Sequence, residues 1–290
     1  MRLFLLTALT MIAFAGNSVL NRMALAGGGI DAASFGTIRL ISGAVMLGAL
    51  CVLLRGGLHL RGPGRVAGVL SLLLYIYGFS AAYDVLDAGL GALILFGVVQ
   101  ITMFAGSLLA LEPVPPRRAI GAALAFSGLI WLLWPGAGPQ VSVVHGLFMA
   151  AAGIGWGIYS LAGRRSTDAL QGTAANFILA APLGLLIGLA LPSGAGGTMT
   201  SAQGIALAIL SGAVTSGLGY ALWYRVLPGL ASSVAAVAQL TVPVIAMAGG
   251  MIFLGESLSL QFVMASALVL GGVAISVLPL QGVIRRSSRS

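Results

Sequence analysis

"IFLGESLSLQF" (252–262) sets one carboxylate, Glu256, between two apolar runs that are each long enough to cross a membrane. "LALEPVPPRRAIG" (109–121) does the same with Glu112, 144 residues earlier. In both stretches the glutamate follows a long apolar segment and precedes a shorter one. At the same offset Gly128 meets Gly272 and Pro135 meets Pro279. Near the start of each half, "FAGNSVLNR" (14–22) matches "WGIYSLAGR" (156–164): an aromatic, small or apolar residues, a polar residue, then arginine. The chain thus reads as one unit used twice. The two glutamates read as equivalent end-markers of a fourth and a ninth helix. Each is expected to cap the helix that follows it, where a carboxylate opposes the N-terminal dipole.

Composition names the solvent. Hydrophobic residues make up 59% of the chain and charged ones 7%, with a mean hydropathy of +1.08, which excludes an ordinary soluble domain. A membrane-spanning helix needs about 20 mostly apolar residues. Runs of that kind occur at about 3–25, 32–54, 66–83, 88–111, 119–135, 145–163, 172–191, 203–224, 229–253 and 260–280. The expected fold is therefore all-α and integral to the membrane, with ten spans. Residues 1–135 form a first five-helix repeat, 145–284 a second, and 285–290 a basic tail. Because five is odd, the second repeat enters the membrane from the opposite side. Residues 1–26 imitate a secretory signal, with Arg2, an apolar core and "ALA" at 24–26. Asn17, Asn21 and Arg22 make a poor cleavage region, and the repeat requires this segment as its first helix.

The charge balance fits the same topology. Fourteen arginines, no lysine and six acids give a net charge of +8. In a soluble protein that would suggest nucleic acid or an anionic surface. Here, with a cytoplasmic N-terminus, Arg2, Arg55, Arg61, Arg65, Arg117, Arg118, Arg164, Arg165, Arg225, Arg285, Arg286 and Arg289 all fall on the inner side. Both termini are expected in the cytoplasm, and only Arg22 and Arg39 break the pattern. The absence of lysine excludes a Walker phosphate loop and Schiff-base chemistry. His59 and His145 have no second ligand at metal spacing, so neither metal nor cofactor is expected. Asp84 and Asp87, in "DVLD", could hold a metal ion in a membrane enzyme acting on polyprenyl lipid, but they lack a second acidic pair and read as a solvated loop. Cys51 stands alone within a helix and reads as a small core residue. "GRVAG" (64–68), "GIGWG" (153–157) and "GLLIG" (184–188) read as close helix packing.

Polar groups inside apolar spans are costly and therefore informative. An arginine at a helix centre costs about 2.5–3.5 kcal/mol on insertion scales. Arg39 lies some seven residues into the second span. It either snorkels outward to Asp31 or Asp84 or meets a substrate carboxylate. Gln100 and Gln239 fall near the centres of the fourth and ninth spans, as interhelical glue or as cavity contacts. Asn17 and Asn21 share a face of the first helix. Tyr75, Tyr77, Trp156, Tyr159 and Tyr220 are candidates for an aromatic cavity wall. Tyr83, Trp134, Trp223 and Tyr224 read as interfacial belts.

Two five-helix halves, the aromatic-small-polar element opening each half, and "LGYALWYRVLPGLASSVAAVAQLTVPVIAMAGGMIFLGESLS" (218–259), with Pro243 thirteen residues before Glu256, resemble the EamA-type transporters of the drug/metabolite transporter superfamily. The first half departs from that pattern, with Val99 and Gln100 where the proline would fall. The resemblance implies alternating access through a central cavity, with the fifth and tenth helices peripheral. Residues 119–135 and 262–280 agree, since they contain no Asn, Gln or charge. It also implies a secondary transporter in a bacterial inner membrane that exports small metabolites, with aromatic or hydrophobic amino acids as the first expected substrates. Drug-like and nucleotide-sugar-like solutes stay open. The expected partners are the lipid bilayer and a small-molecule substrate, not nucleic acid. All six acids lie at or near the expected helix ends, so no deep carboxylate is available to carry a proton, and facilitated diffusion is the expected mode.

Overall fold

The computed structural model describes residues 1–111, 115–134, 142–163, 168–190, 200–230, 235 and 238–277, and its secondary structure is helical throughout. Helices α1 (Arg2–Ala26), α2 (Ala32–Arg55), α3 (Arg65–Tyr83), α4 (Ala88–Leu109) and α5 (Pro116–Leu133) make the first half. Helices α6 (Val143–Gly163), α7 (Ala169–Ala190), α8 (Ala202–Gly229), α9 (Thr241–Leu254) and α10 (Leu260–Val277) make the second. Seven of these, α1–α4 and α6–α8, are long and apolar enough to cross a membrane; α9 and α10 are shorter apolar helices. Each observed helix lies within a few residues of an expected span except at two ends. Helix α9 starts at Thr241 rather than near 229, which leaves Gln239 ahead of the helix instead of near its centre. Helix α8 runs to Gly229 rather than ending near 224. The expected positions of Glu112, Pro135, Arg164, Arg165 and the 285–290 tail lie outside the described residues.

In hydrocarbon every backbone polar group must be satisfied within the chain, and helices achieve this residue by residue. Their ends need separate devices. Asp31 caps α2 by accepting the Ser34 amide at 2.9 Å, and Ser201 caps α8 through the Gly204 amide at 3.0 Å. Gly255, at φ 67°, ends α9 in the left-handed conformation that favours glycine.

Small residues set how closely the helices approach. In "GIGWG" alternate glycines face different neighbours. A Cβ on Gly155 would lie 2.7 Å from the Ser71 carbonyl oxygen of α3, and one on Gly157 would lie 2.7 Å from the Thr102 side chain of α4. Helix α6 is thereby wedged between α3 and α4. Further contacts join α2 to α7, α1 to α8 and α9, α4 to α9, and α5 to α10. A Cβ on Gly272 would stand 2.6 Å from the Gly121 carbonyl oxygen and 2.7 Å from the Ala125 amide, whereas Gly271 faces open space. Substituting Gly272→Leu should therefore force α5 and α10 apart. Overpacking of this kind costs about 1–3 kcal/mol, and the melting temperature in detergent should fall by roughly 5 °C. The Gly271→Leu protein is expected to melt with the wild type, which checks that the loss comes from the contact.

Within α8, Leu210–Leu218 winds as a π-helix. The i→i+5 repeat sets Ser211 and Ser216 one above the other with Thr215 beside them. All three hydroxyls converge on one oxygen, Asn17 Oδ1, at 2.9, 3.1 and 2.6 Å.

Candidate functional site

A cavity of about 1190 Å³ opens between the two halves at the end of the bundle that carries Arg55, His59, Arg61, Arg65, Arg117 and Arg118. Its inner wall is aromatic: Phe14 from α1, Trp156 and Tyr159 from α6, and Tyr220, Trp223 and Tyr224 from α8. Trp156 is the centre of this wall. Its ring stacks on Tyr159 (centroids 5.3 Å apart, planes at 17°) and lies 5.2 Å from Tyr220 and 4.9 Å from Tyr75. Gln100 of α4 and Gln239, just ahead of α9, face the same space, and neither amide is hydrogen-bonded to another described residue. Rings with free amides beside them suit a solute that is largely apolar with a few polar groups.

The mouth is ordered by polar contacts between α2, α3 and α7. Arg65 Nη1 donates to the Asn176 side chain and to the Gly172 carbonyl, both at 2.7 Å, and Arg55 Nε meets Asp168 Oδ2 at 2.6 Å. Partial burial raises the Asp168 carboxyl, but the Arg55 hydrogen bond and the Gln171 and Leu170 amides outweigh it and hold the group below the usual carboxylate range. The Tyr159 hydroxyl, buried in the wall, makes no well-aligned hydrogen bond among the described residues, although the Thr173 and Asn176 side chains stand beside it.

Of the ten residues expected at the site, Gln100, Trp156, Tyr159, Tyr220 and Gln239 line the cavity. Arg39 and Tyr75 lie directly behind its aromatic wall. Arg39 is fully buried; its Nη2 donates to the Tyr75 hydroxyl at 2.9 Å and its Nε to Ser216 Oγ at 3.2 Å. Snorkelling toward Asp31 or Asp84, one of the two readings left open, does not occur, because the Tyr75 and Phe79 rings cover the guanidinium at 5.2 and 4.9 Å and hold it inward. Asn17 and Asn21 join α1 to α8 and α3, Asn21 Nδ2 donating to Ser80 Oγ at 3.2 Å. Tyr77 points to the other face of α3, where its hydroxyl donates to the Gly184 carbonyl at 2.8 Å and pairs with Thr37.

Two further expectations change. Tyr83, Trp223 and Tyr224 are not belt residues: Tyr83 is buried with its hydroxyl on the Ala88 carbonyl, and the other two line the cavity. Glu256 does not cap the helix that follows it. Both its oxygens accept the Ala88 amide, at 2.9 Å, at the N-terminus of α4, while Ser259 caps α10 through Phe262. Arg22 stands 3.8 Å from Glu256 and donates to the Tyr83 and Asp84 carbonyls. This clasp closes the end of the bundle opposite the cavity mouth. From clasp to cavity, Tyr83, Phe79 and Tyr75 stack along one face of α3 with centroids 4.7 and 5.3 Å apart, so the path between the two ends is plugged.

A multi-pass helical membrane protein with a large cavity open at one end and a clasp at the other has the architecture of a solute carrier. The sequence pattern of the EamA-like transporter family matches residues 145–278. An uncharacterized protein of Pseudomonas aeruginosa, PA1977, is 44% identical over 287 residues, spanning 97% of this chain and 96% of its own. A crystal structure of a protein 21% identical superimposes with a TM-score of 0.61, over 92% of this chain and 95% of that one, and shares the fold. The chain belongs to the EamA-like transporter family, a family of small-molecule transporters of the drug/metabolite superfamily.

Proposed function

We propose that this protein is a secondary transporter that exports small amphiphilic metabolites, aromatic or other hydrophobic amino acids first among them, across a bacterial inner membrane by alternating access. The observation that carries this reading is the cavity itself, with its Trp156-centred wall and its two unengaged amides. The arginine-rich mouth would face the cytoplasm under the positive-inside rule, with both termini on that side. The cavity in this conformation would then be loaded from within the cell. An inverted repeat is supported by the packing. Exchanging each helix with the one five places on maps the α3–α6 contact onto α8–α1 and α4–α6 onto α9–α1, and it maps the α2–α7, α4–α9 and α5–α10 pairs onto themselves. The relative from Pseudomonas aeruginosa supports the bacterial setting.

No carboxylate lines the aromatic part of the cavity among the described residues, and the one acid in its lining, Asp168, is paired at the mouth. The transporter therefore works by facilitated diffusion. An uptake screen in proteoliposomes tests this. Counterflow of phenylalanine or a similar solute should proceed without a pH gradient, a sodium gradient or ATP, and concentrative uptake abolished by a protonophore would overturn the mechanism. Gln100→Leu and Gln239→Leu should each weaken the solute about ten-fold, the consequence of losing a polar contact of about 1–3 kcal/mol. Gln203→Leu, at the exposed entrance of α8, is the silent control. Unchanged transport by both cavity variants would remove the amides from the site.

A further inference from the structure

Arg39 is a fully buried guanidinium two turns into an apolar helix. Among the described residues the ion pairs join Arg22 to Glu256 and Arg55 to Asp168, and no carboxylate stands within reach of Arg39. Its Nε and Nη2 are engaged by Ser216 and Tyr75, but Nη1 makes no well-aligned hydrogen bond among the described residues, with the Tyr220 hydroxyl standing beside the guanidinium. A buried cation without an opposite charge is costly, and a fold that used Arg39 only to tie helices together would have no reason to leave Nη1 unbonded. Tyr75 and Phe79 cover the guanidinium without neutralising it.

Its position gives that unbonded donor a direction. Tyr75 touches Arg39 on one side and the cavity-lining Trp156 on the other, and the hydroxyl of Tyr220, also in the lining, neighbours the guanidinium. One aromatic layer separates Arg39 from the cavity. The charges along the approach have the same sign: Arg55, Arg61 and Arg65 stand at the mouth, and Asp168 is bound to Arg55. A field of one sign draws anions inward and repels cations.

We propose that Arg39 is the anion station of the transport path, taking the carboxylate of an aryl-bearing substrate on its unbonded Nη1 when the Tyr75–Trp156 layer parts. The protein then carries organic carboxylates, as anions or zwitterions, and rejects the matching amines. The assignment rests on the transporter reading above and narrows its substrate class. An oxyanion on Nη1 makes a charge-assisted hydrogen bond and supplies the missing counter-charge, while its ring occupies the aromatic wall. An amine would place a second cation beside Arg39.

The test uses three solutes that share a phenyl ring and a short arm: 3-phenylpropionate, phenylalanine and phenethylamine. In proteoliposomes of the full-length protein, both carboxylates should be carried in counterflow and phenethylamine should not. Arg39→Gln should weaken both carboxylates about ten-fold or more, and Arg39→Lys, which keeps the charge but not the planar fork, by less. The ranking in the unmodified protein needs no variant, so a substitution that fails to insert leaves the test intact. Phenethylamine carried as well as the carboxylates would overturn the anion station while leaving the transporter reading standing. So would carboxylate affinity unchanged in Arg39→Gln. Displacement of 3-phenylpropionate by sodium phosphate alone at equal concentration would assign Arg39 to inorganic anions and overturn the substrate role. Failure to carry any of the three solutes would overturn both readings.

Discussion

Asn17→Leu is expected to be among the most damaging single substitutions in the bundle, lowering stability in detergent by about 2–4 kcal/mol and transport with it. One carbonyl oxygen accepts three hydroxyls, from Ser211, Thr215 and Ser216, across the contact of α1 with the π-wound part of α8. Interhelical hydrogen bonds in membranes are worth about 0.6–2 kcal/mol each, and leaving the donors unpaired in a dry interface adds to the loss. Thr215 can fall back on the Ser211 carbonyl, at 2.9 Å. Ser216 cannot, and it is also the acceptor for Arg39 Nε. The damage should therefore spread to Arg39 and appear as impaired solute binding as well as a lower melting temperature. Asn17→Asp keeps the acceptor but buries a carboxyl in the bundle, so it should recover only part of the loss. Stability unchanged in Asn17→Leu would show that the three hydroxyls do not depend on that oxygen.

Much of this fold was legible because hydrophobic length is a local property. Apart from the late start of α9 at Thr241, the apolar runs predict the observed helices to within a few residues, and the family pattern matches the half in which "VLPGLASS…GE" stands out. Part of the cavity was legible for a related reason. Gln100 and Gln239 are polar interruptions of apolar runs, and Trp156, Tyr159 and Tyr220 are large rings away from helix ends. The misread residues depended on partners distant in sequence. Glu256 meets Ala88, 168 residues away, because the α9–α10 turn sits over the start of α4, and no sequence spacing encodes that crossing. Arg39 was recognisable as costly, but its inward direction is set by Tyr75, Phe79 and Ser216 on two other helices. Trp223 and Tyr224 read as an interfacial belt because the eighth apolar run ends near 224. The helix continues to Gly229, which moves both rings away from its end and into the cavity wall. Asn176 is a signal the sequence reading passes over: an amide near the start of an apolar run, which holds Arg65 at the mouth.

The largest effect on conformation is expected from Glu256→Gln, at the end of the bundle opposite the cavity mouth. The carboxylate accepts the Ala88 amide with both oxygens and faces Arg22, while Arg22 binds the carbonyls of Tyr83 and Asp84. Four elements, α1, the α3–α4 turn, the start of α4 and the α9–α10 turn, thus meet at one charge. Glutamine keeps a single acceptor and loses the charge that opposes Arg22 and the α4 dipole. A weakening of about 1–2 kcal/mol shifts a two-state equilibrium by roughly ten-fold. On a Cys51→Ala background, a thiol placed behind the clasp by Ser18→Cys, a buried position, should react about ten-fold faster in the Glu256→Gln protein, relative to an exposed Asp84→Cys control. Acid should act in the opposite sense, because protonation leaves the carboxyl's acceptor lone pairs in place whereas an amide nitrogen removes one acceptor. Burial, and then the neighbouring Asp87, raise the Glu256 carboxyl above its usual range, against the Ala88 amide and Arg22, which pull it down. Because the fold favours the protonated form, this residue's contribution to folding stability is greatest at low pH and declines as pH rises through the raised value. Opening the clasp exposes the carboxyl and returns it toward its ordinary range, so the same sign holds for the clasp, which tightens as pH falls from neutrality through the raised value. Ser18→Cys reactivity, normalised to the control, should therefore fall as the pH is lowered from neutrality in the wild type and stay flat in Glu256→Gln. A flat wild-type profile would detach the clasp from Glu256 protonation. A climb accompanied by protonophore-sensitive accumulation of solute would instead make Glu256 the coupling group and replace facilitated diffusion with proton-driven transport.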